Sequence, residues 1–206
     1  MMQSDQRGFT LLEILIAISV ATVVLASVYG VFATVSRTGE RLESDSEAYH
    51  QARIIFDRIG RESRGAYYRS GNDTTLFRGG GDGSAAFLIL STTASTPQSG
   101  TSGGIVQVAY TLEADPDVEE GTFLLRRREA PAFVADPSRY PAARLAAGIT
   151  ALAFRFYHDG TWYSNWESVN EGQLPLLVEM TLTLRIDGED VPFISSFDLP
   201  QPKGAL

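Results

Sequence analysis

Apolar residues change their spacing twice along this chain, and each change predicts a different kind of element. From Ile14 to Val35 bulky and small apolar residues occur on every face of a helix, with no charge among them. About 20 such residues suffice to cross the ~30 Å hydrocarbon layer of a bilayer. From Arg41 to Arg64 the pattern becomes one-sided. Leu42, Tyr49, Ala52, Ile55, Phe56 and Ile59 recur at helical spacing, while Glu47, Arg53, Asp57, Arg58, Arg61 and Glu62 take the other faces. The helix is therefore expected to continue as an amphipathic segment, with one stripe against a folded domain and the rest in water. Gly65 is the expected stop, and Gly39 a place for a bend or partial unwinding.

Beyond Gly65 the period falls to two, which predicts sheet. The clearest strand is Leu177–Ile186, where Val178, Met180, Leu182, Leu184 and Ile186 alternate with Glu179, Thr181, Thr183 and Arg185. Further strands are expected over Ala85–Ser91, Ile105–Leu112, Thr122–Arg128, Ile149–His158, Thr161–Trp166 and Val191–Leu199. Asp159-Gly160 and Asp187-Gly188 have the chemistry of two-residue hairpin turns, so pairing should be antiparallel. Phe154 and Phe156 should point inward. One helix followed by a run of strands gives an α+β fold class: a long N-terminal helix packed on an antiparallel β-sheet domain. The expected boundaries are a leader at 1–8, a membrane helix at 9–35, its amphipathic continuation at 36–65 and a β-rich domain at 66–206. Gly79–Ser84 and Thr92–Gly104 read as mobile, exposed loops, and Glu129–Arg144, punctuated by Pro131, Pro137 and Pro141, as an extended surface connection.

Composition narrows the chemistry. The 206 residues carry a formal net charge of −8 with a pI near 4.8, which argues against nucleic-acid binding, where a concentrated basic surface is expected. There is no cysteine, hence no disulfide and no thiolate ligand or nucleophile. The two histidines, His50 on the charged helix and His158 at a hairpin end, stand in no nucleophile pattern, and the carboxylate pairs Glu119-Glu120 and Asp57 with Glu62 read as solvated surface. The chain is not expected to be an enzyme. The acidic loop of Asp115, Asp117, Glu119 and Glu120 has the oxygen-rich chemistry calcium requires, but Pro116 and the lack of a glycine-centred ligand loop tell against it. The glycine-rich loop carries no lysine-bearing nucleotide motif. No metal or cofactor is expected. The aromatic set Phe154, Phe156, Tyr157, Trp162, Tyr163 and Trp166 divides between core packing and a face suited to a sugar or peptide.

One residue does not fit a simple anchor. Glu13 stands at the start of the charge-free run, and a carboxylate there costs ~2.5–3.5 kcal/mol on insertion scales. The span itself contains no lysine or arginine. A cut after Gly8 would create a cation, the amino group of Phe9, which a neighbouring copy could offer to Glu13. An ordinary secretory signal, cut after Ala33, is the alternative; its apolar core would be ~7–15 residues, and this run is longer. A plain signal anchor leaves Glu13 unexplained.

Gly8-Phe9-Thr10-Leu11-Leu12-Glu13, behind a short polar leader with Arg7 beside the cut, resembles the signal of type IV prepilins and of type II secretion pseudopilins. The resemblance implies cleavage after Gly8 by a prepilin peptidase, N-methylation of Phe9 and an assembly role for Glu13. Leu145-Ala-Ala-Gly148-Ile149, then Leu152-Ala-Phe154-Arg-Phe156-Tyr157, Asp159-Gly160-Thr-Trp162, Trp166, Leu174-Pro175 and the strand to Ile186 are similar to J-type minor pseudopilins. That resemblance implies a pilin-like subunit at the tip of the type II secretion pseudopilus, supporting export of folded proteins across the outer membrane. It also implies I-, K- and H-type minor pseudopilins and an inner-membrane secretion platform as partners, contact with secreted cargo, and a single pass through the inner membrane with the C-terminal domain in the periplasm. A minor pilin of a type IV pilus or competence pseudopilus is the alternative within this class, and a membrane-anchored periplasmic binding domain the alternative outside it.

Overall fold

The structure, a computed structural model, describes residues 10–94, 104–114 and 121–201. The chain divides into two compact units, Met1–Ser46 and Glu47–Leu206. Helix α1, Leu11–Arg64, is the main element of the first and contributes its last turns to the second. It is unbroken at Gly30 and Gly39, so the partial unwinding expected at Gly39 does not occur. Glycine costs ~1 kcal/mol of helix propensity but keeps its N–H, and the hydrogen-bond ladder survives it.

In the second unit α1 is followed by β1 (Phe77–Gly80), β2 (Phe87–Thr92), β3 (Val106–Ala114), β4 (Phe123–Pro131), β5 (Ala142–His158), β6 (Thr161–Tyr163), β7 (Trp166–Glu167), a short helix α2 (Ser168–Glu171), β8 (Leu177–Ile186) and β9 (Glu189–Asp198). All strand pairs are antiparallel, in the order β7-β1-β2-β3-β4-β5-β8-β9, with β6 also pairing with β5. The fold is α+β. Strand β5 is its spine: its first half pairs with β4, its second half with β8, and a bulge at the left-handed Gly148 (φ 70°) separates the two. The sheet curls, because Asp82, just after β1, bridges Ala153 of β5.

Both Asp-Gly pairs form two-residue turns with positive φ at each position, 45° and 79° at Asp159-Gly160, 49° and 83° at Asp187-Gly188. This matches the right-handed twist of the strands they join. The core is lined by the expected alternate residues: Val178, Met180, Leu182, Leu184 and Ile186 of β8, with Phe154 and Phe156 of β5, are all buried. Ala48, Ala52, Ile55 and Ile59 bring the helix stripe onto them, and Gly60 admits the Phe197 ring, whose Cδ1 would lie 2.7 Å from an added Cβ.

Two loop expectations are corrected at their first residues. Gly79 and Gly80 are buried in β1, and a Cβ at Gly79 would meet Phe156 Cζ at 2.6 Å. These glycines make room for an aromatic ring, and only Gly81, Asp82 and Ser84 of that loop are exposed. Thr92 is likewise buried at the end of β2, donating its hydroxyl to Glu62 O at 2.8 Å; residues 95–103 of that loop lie outside the described residues. The connection ending at Arg144 is shorter than expected, since β5 begins at Ala142 and β4 runs to Pro131.

Candidate assembly site

Within α1 the stretch Leu11–Ser36 is long and apolar enough to span a membrane. Every residue from Leu11 to Phe32 is exposed in the chain alone. Hydroxyls in this stretch are turned back onto the helix: Ser19 donates to Leu15 O, Thr22 to Ile18 O, Ser27 to Val23 O and Thr34 to Gly30 O, at 2.8–2.9 Å. Each hydroxyl thus meets its hydrogen bond without a neighbour, and the side chain stays small enough for another helix to come close.

Glu13 sits in the first turn of α1. Its backbone N–H reaches Thr10 O at 3.1 Å and Thr10 Oγ1 at 3.2 Å, half of the capping arrangement that a Thr-x-x-Glu sequence favours. The carboxylate itself makes no hydrogen bond or ion pair among the described residues. An acid in the first turn gains ~0.3–1 kcal/mol from the helix dipole. That is well short of the ~2.5–3.5 kcal/mol that lipid exacts. Ala17 and Ala21 follow Glu13 at intervals of four, leaving a shallow stripe flanked by Ile14 and Ile18. Gly8 and Phe9, the expected processing residues, lie outside the described residues.

At the other end of the same helix stands a polar cluster that pattern reading missed. Glu62, read from its spacing as solvated surface, is only 4% exposed, and Arg127 of β4 is 2% exposed. Arg127 Nη2 and Nε donate to Glu62 Oε1 at 2.7 and 3.1 Å, and Nη2 also donates to Glu129 Oε2 at 2.7 Å. Tyr110 of β3 donates its hydroxyl to Glu62 Oε2. Burial, and then the Glu62 charge, push the Tyr110 phenol well above its ordinary pKa. Burial alone would lower the Arg127 pKa, but the Glu62 and Glu129 carboxylates more than reverse this and hold the guanidinium charged. The Glu62 carboxylate thus ties the helix end to β4 through the buried Arg127 ion pair and to β3 through the Tyr110 hydroxyl. The only advance signal was an Arg-Arg-Arg-Glu run interrupting an apolar strand.

The remaining candidates do not converge. His50 is exposed on α1. The His158 ring lies 5.3 Å from that of Trp166, and its Nε2 is 2.7 Å from Gln173 Nε2. Trp166 is core, while Trp162 and Tyr163 are about two-fifths exposed, and Arg155 stacks 4.9 Å over the Trp162 ring. Asp115, Asp117, Glu119 and Glu120 fall outside the described residues, among which no group of three or more His, Asp or Glu is placed to hold a metal.

Comparison with known families brings the two ends of the chain together. The model of type II secretion system protein J matches residues 30–191, and that of the prokaryotic N-terminal methylation motif matches residues 3–29. The chain belongs to the type II secretion system protein J family. It is a J-type pseudopilin, and membership implies association with other pseudopilins and the secretion machinery. Its apolar helix and methylation motif fit a single-pass anchor in the inner membrane. The family is a structural one, and its match extends from the membrane helix to the start of β9.

Proposed function

We propose that this J-type pseudopilin is cut after Gly8, methylated on Phe9 and built into the tip of a type II secretion pseudopilus, with its second unit in the periplasm. The single observation that carries the reading is the Glu13 carboxylate, unanswered within the described chain at the head of a span free of cations. The amino group freed at Phe9 of one subunit answers Glu13 of the next. In a dehydrated helix bundle this attraction is stronger than in water, but both charges also lose hydration, so the pair serves axial register more than net stability. I-, K- and H-type minor pseudopilins are the neighbours, the prepilin peptidase acts first, and the inner-membrane platform receives the processed subunit. Export of folded cargo across the outer membrane is the work of the whole assembly, and this subunit contributes surfaces to it.

Two measurements test the reading. The intact mass and N-terminal sequence of the purified protein should show a chain beginning at methylated Phe9; a chain retaining Gln3–Gly8, or beginning after Ala33, overturns it. Glu13→Ala should insert into the membrane as well as the parent while losing co-purification with the minor pseudopilins. Undiminished recovery of those partners would remove the assembly role from Glu13.

A further inference from the structure

The two ends of the sheet are finished differently. At one end β7 is two residues long, too short to template another strand; at the other β9 runs for ten. Which backbone groups of β9 face outward follows from its register. Ile186 pairs with Glu189 across the two-residue turn, and Leu199 N–H donates to Leu176 O at 3.0 Å just past the last ladder pair, Leu177 with Asp198. Hydrogen-bonded residues alternate along an antiparallel pair. Val191, Phe193, Ser195 and Phe197 therefore spend their N–H and C=O groups on β8, and Asp190, Pro192, Ile194, Ser196 and Asp198 direct theirs away from it.

The first half of this outward row is blunted. Pro192 has no N–H, and Glu189 and Asp190 carry charge, both devices that discourage strand addition. The second half lacks a proline, and Asp198 at its end is its one charge. Ile194, Ser196 and Asp198 each present a free N–H and C=O, with no hydrogen-bond partner for them among the described residues. Ile194 is a large apolar side chain left 64% exposed in the middle of this stretch.

We infer that the Ile194–Asp198 edge of β9 receives an extended segment of another pseudopilin subunit, which adds to the sheet as a further strand. The inference rests on the assembly reading above and names a surface for it. Backbone is the chemistry that answers a row of alternating donors and acceptors, and about five residues of added strand would engage all three outward positions. Acidic groups at both ends of β9, Glu189 and Asp198, in a chain of net charge −8, call for an occupant with an apolar residue beside Ile194 and a lysine or arginine near Asp198.

Residue-resolved amide exchange of the full processed chain tests this, alone in detergent and co-purified with the I-, K- and H-type subunits. The Phe193, Ser195 and Phe197 amides should be protected in both states, and those of Ile194, Ser196 and Asp198 should slow at least about tenfold only in the complex. Ser196→Pro removes an N–H that no other described residue accepts, so it should keep its unfolding midpoint and lose partner recovery. A complex that forms with those three amides still exchanging at the free-subunit rate overturns the inference and leaves assembly standing. Failure to form any complex overturns both. Protection of the same amides that grows with concentration of the subunit alone assigns the edge to a second copy and overturns the proposed occupant.

Discussion

Glu13 and Glu62 lie at opposite ends of one helix, and both are acids in apolar surroundings, yet they are provided for differently. Glu62 finds Arg127 and the Tyr110 hydroxyl within its own chain. Among the described residues Glu13 has only a half-formed cap. Breaking a buried ion pair from one side costs ~3–5 kcal/mol, so an acid answered internally commits its unit to one fold. An acid left unanswered in lipid commits the subunit to company. On the function proposed above, the helix carries a folding instruction at its C-terminal end and an assembly instruction at its start.

The contrast breaks most sharply at Arg127. Arg127→Met leaves Glu62 and Glu129 buried without their cation and should destabilise the second unit by ~3–5 kcal/mol. Urea unfolding followed by tryptophan fluorescence reads that unit alone, because Trp162 and Trp166 are the only tryptophans. Tyr110→Phe removes one donor and leaves Glu62 Oε2 short of a partner, for a loss of ~1–3 kcal/mol in the same assay.

The phenol also sets a pH dependence. Its folded pKa is raised, so the stabilisation it brings is fully present below the unfolded tyrosine value of ~10 and is lost as pH rises through the higher folded value. Stability of the parent should fall above about pH 10 more steeply than that of Tyr110→Phe, and an alkaline absorbance titration should leave one tyrosine un-ionised until unfolding. The smallest effect is expected at the other end. Glu13→Gln should move the urea midpoint by no more than the equivalent of ~0.5 kcal/mol, the range of surface substitutions, while partner recovery falls. A stability loss at Glu13 comparable to that at Arg127 would erase the distinction.

What could be read in advance follows from how far apart the cooperating residues are. The charge-free span, the alternation of β8 and the two Asp-Gly turns are local signals, and all appear in the fold. The end of strand β1 is hidden because Gly79 and Gly80 resemble a linker in sequence; the reason for Gly79, the Phe156 ring, lies far along the chain. The start of β5 was hidden by Pro137 and Pro141, which precede it. Glu62 failed for the same reason at a greater cost: an acid at helical spacing is coded as surface unless its cation is known, and Arg127 comes 65 residues later. The Glu13 signal needed no distant partner, since the absence of a cation nearby was itself the message.

If the second unit crosses a membrane behind its anchor, as proposed above, that 65-residue separation sets an order of events, because residues beyond the anchor emerge in chain order. Glu62 emerges well before the residue that neutralises it, and until β4 arrives the cheapest place for its carboxylate is water. The last turns of α1 therefore cannot settle early, and the sheet must be assembled at least through its fourth strand before they seat. Anchoring precedes maturation, and a subunit stalled midway through delivery would display a loose helix end rather than a finished docking surface.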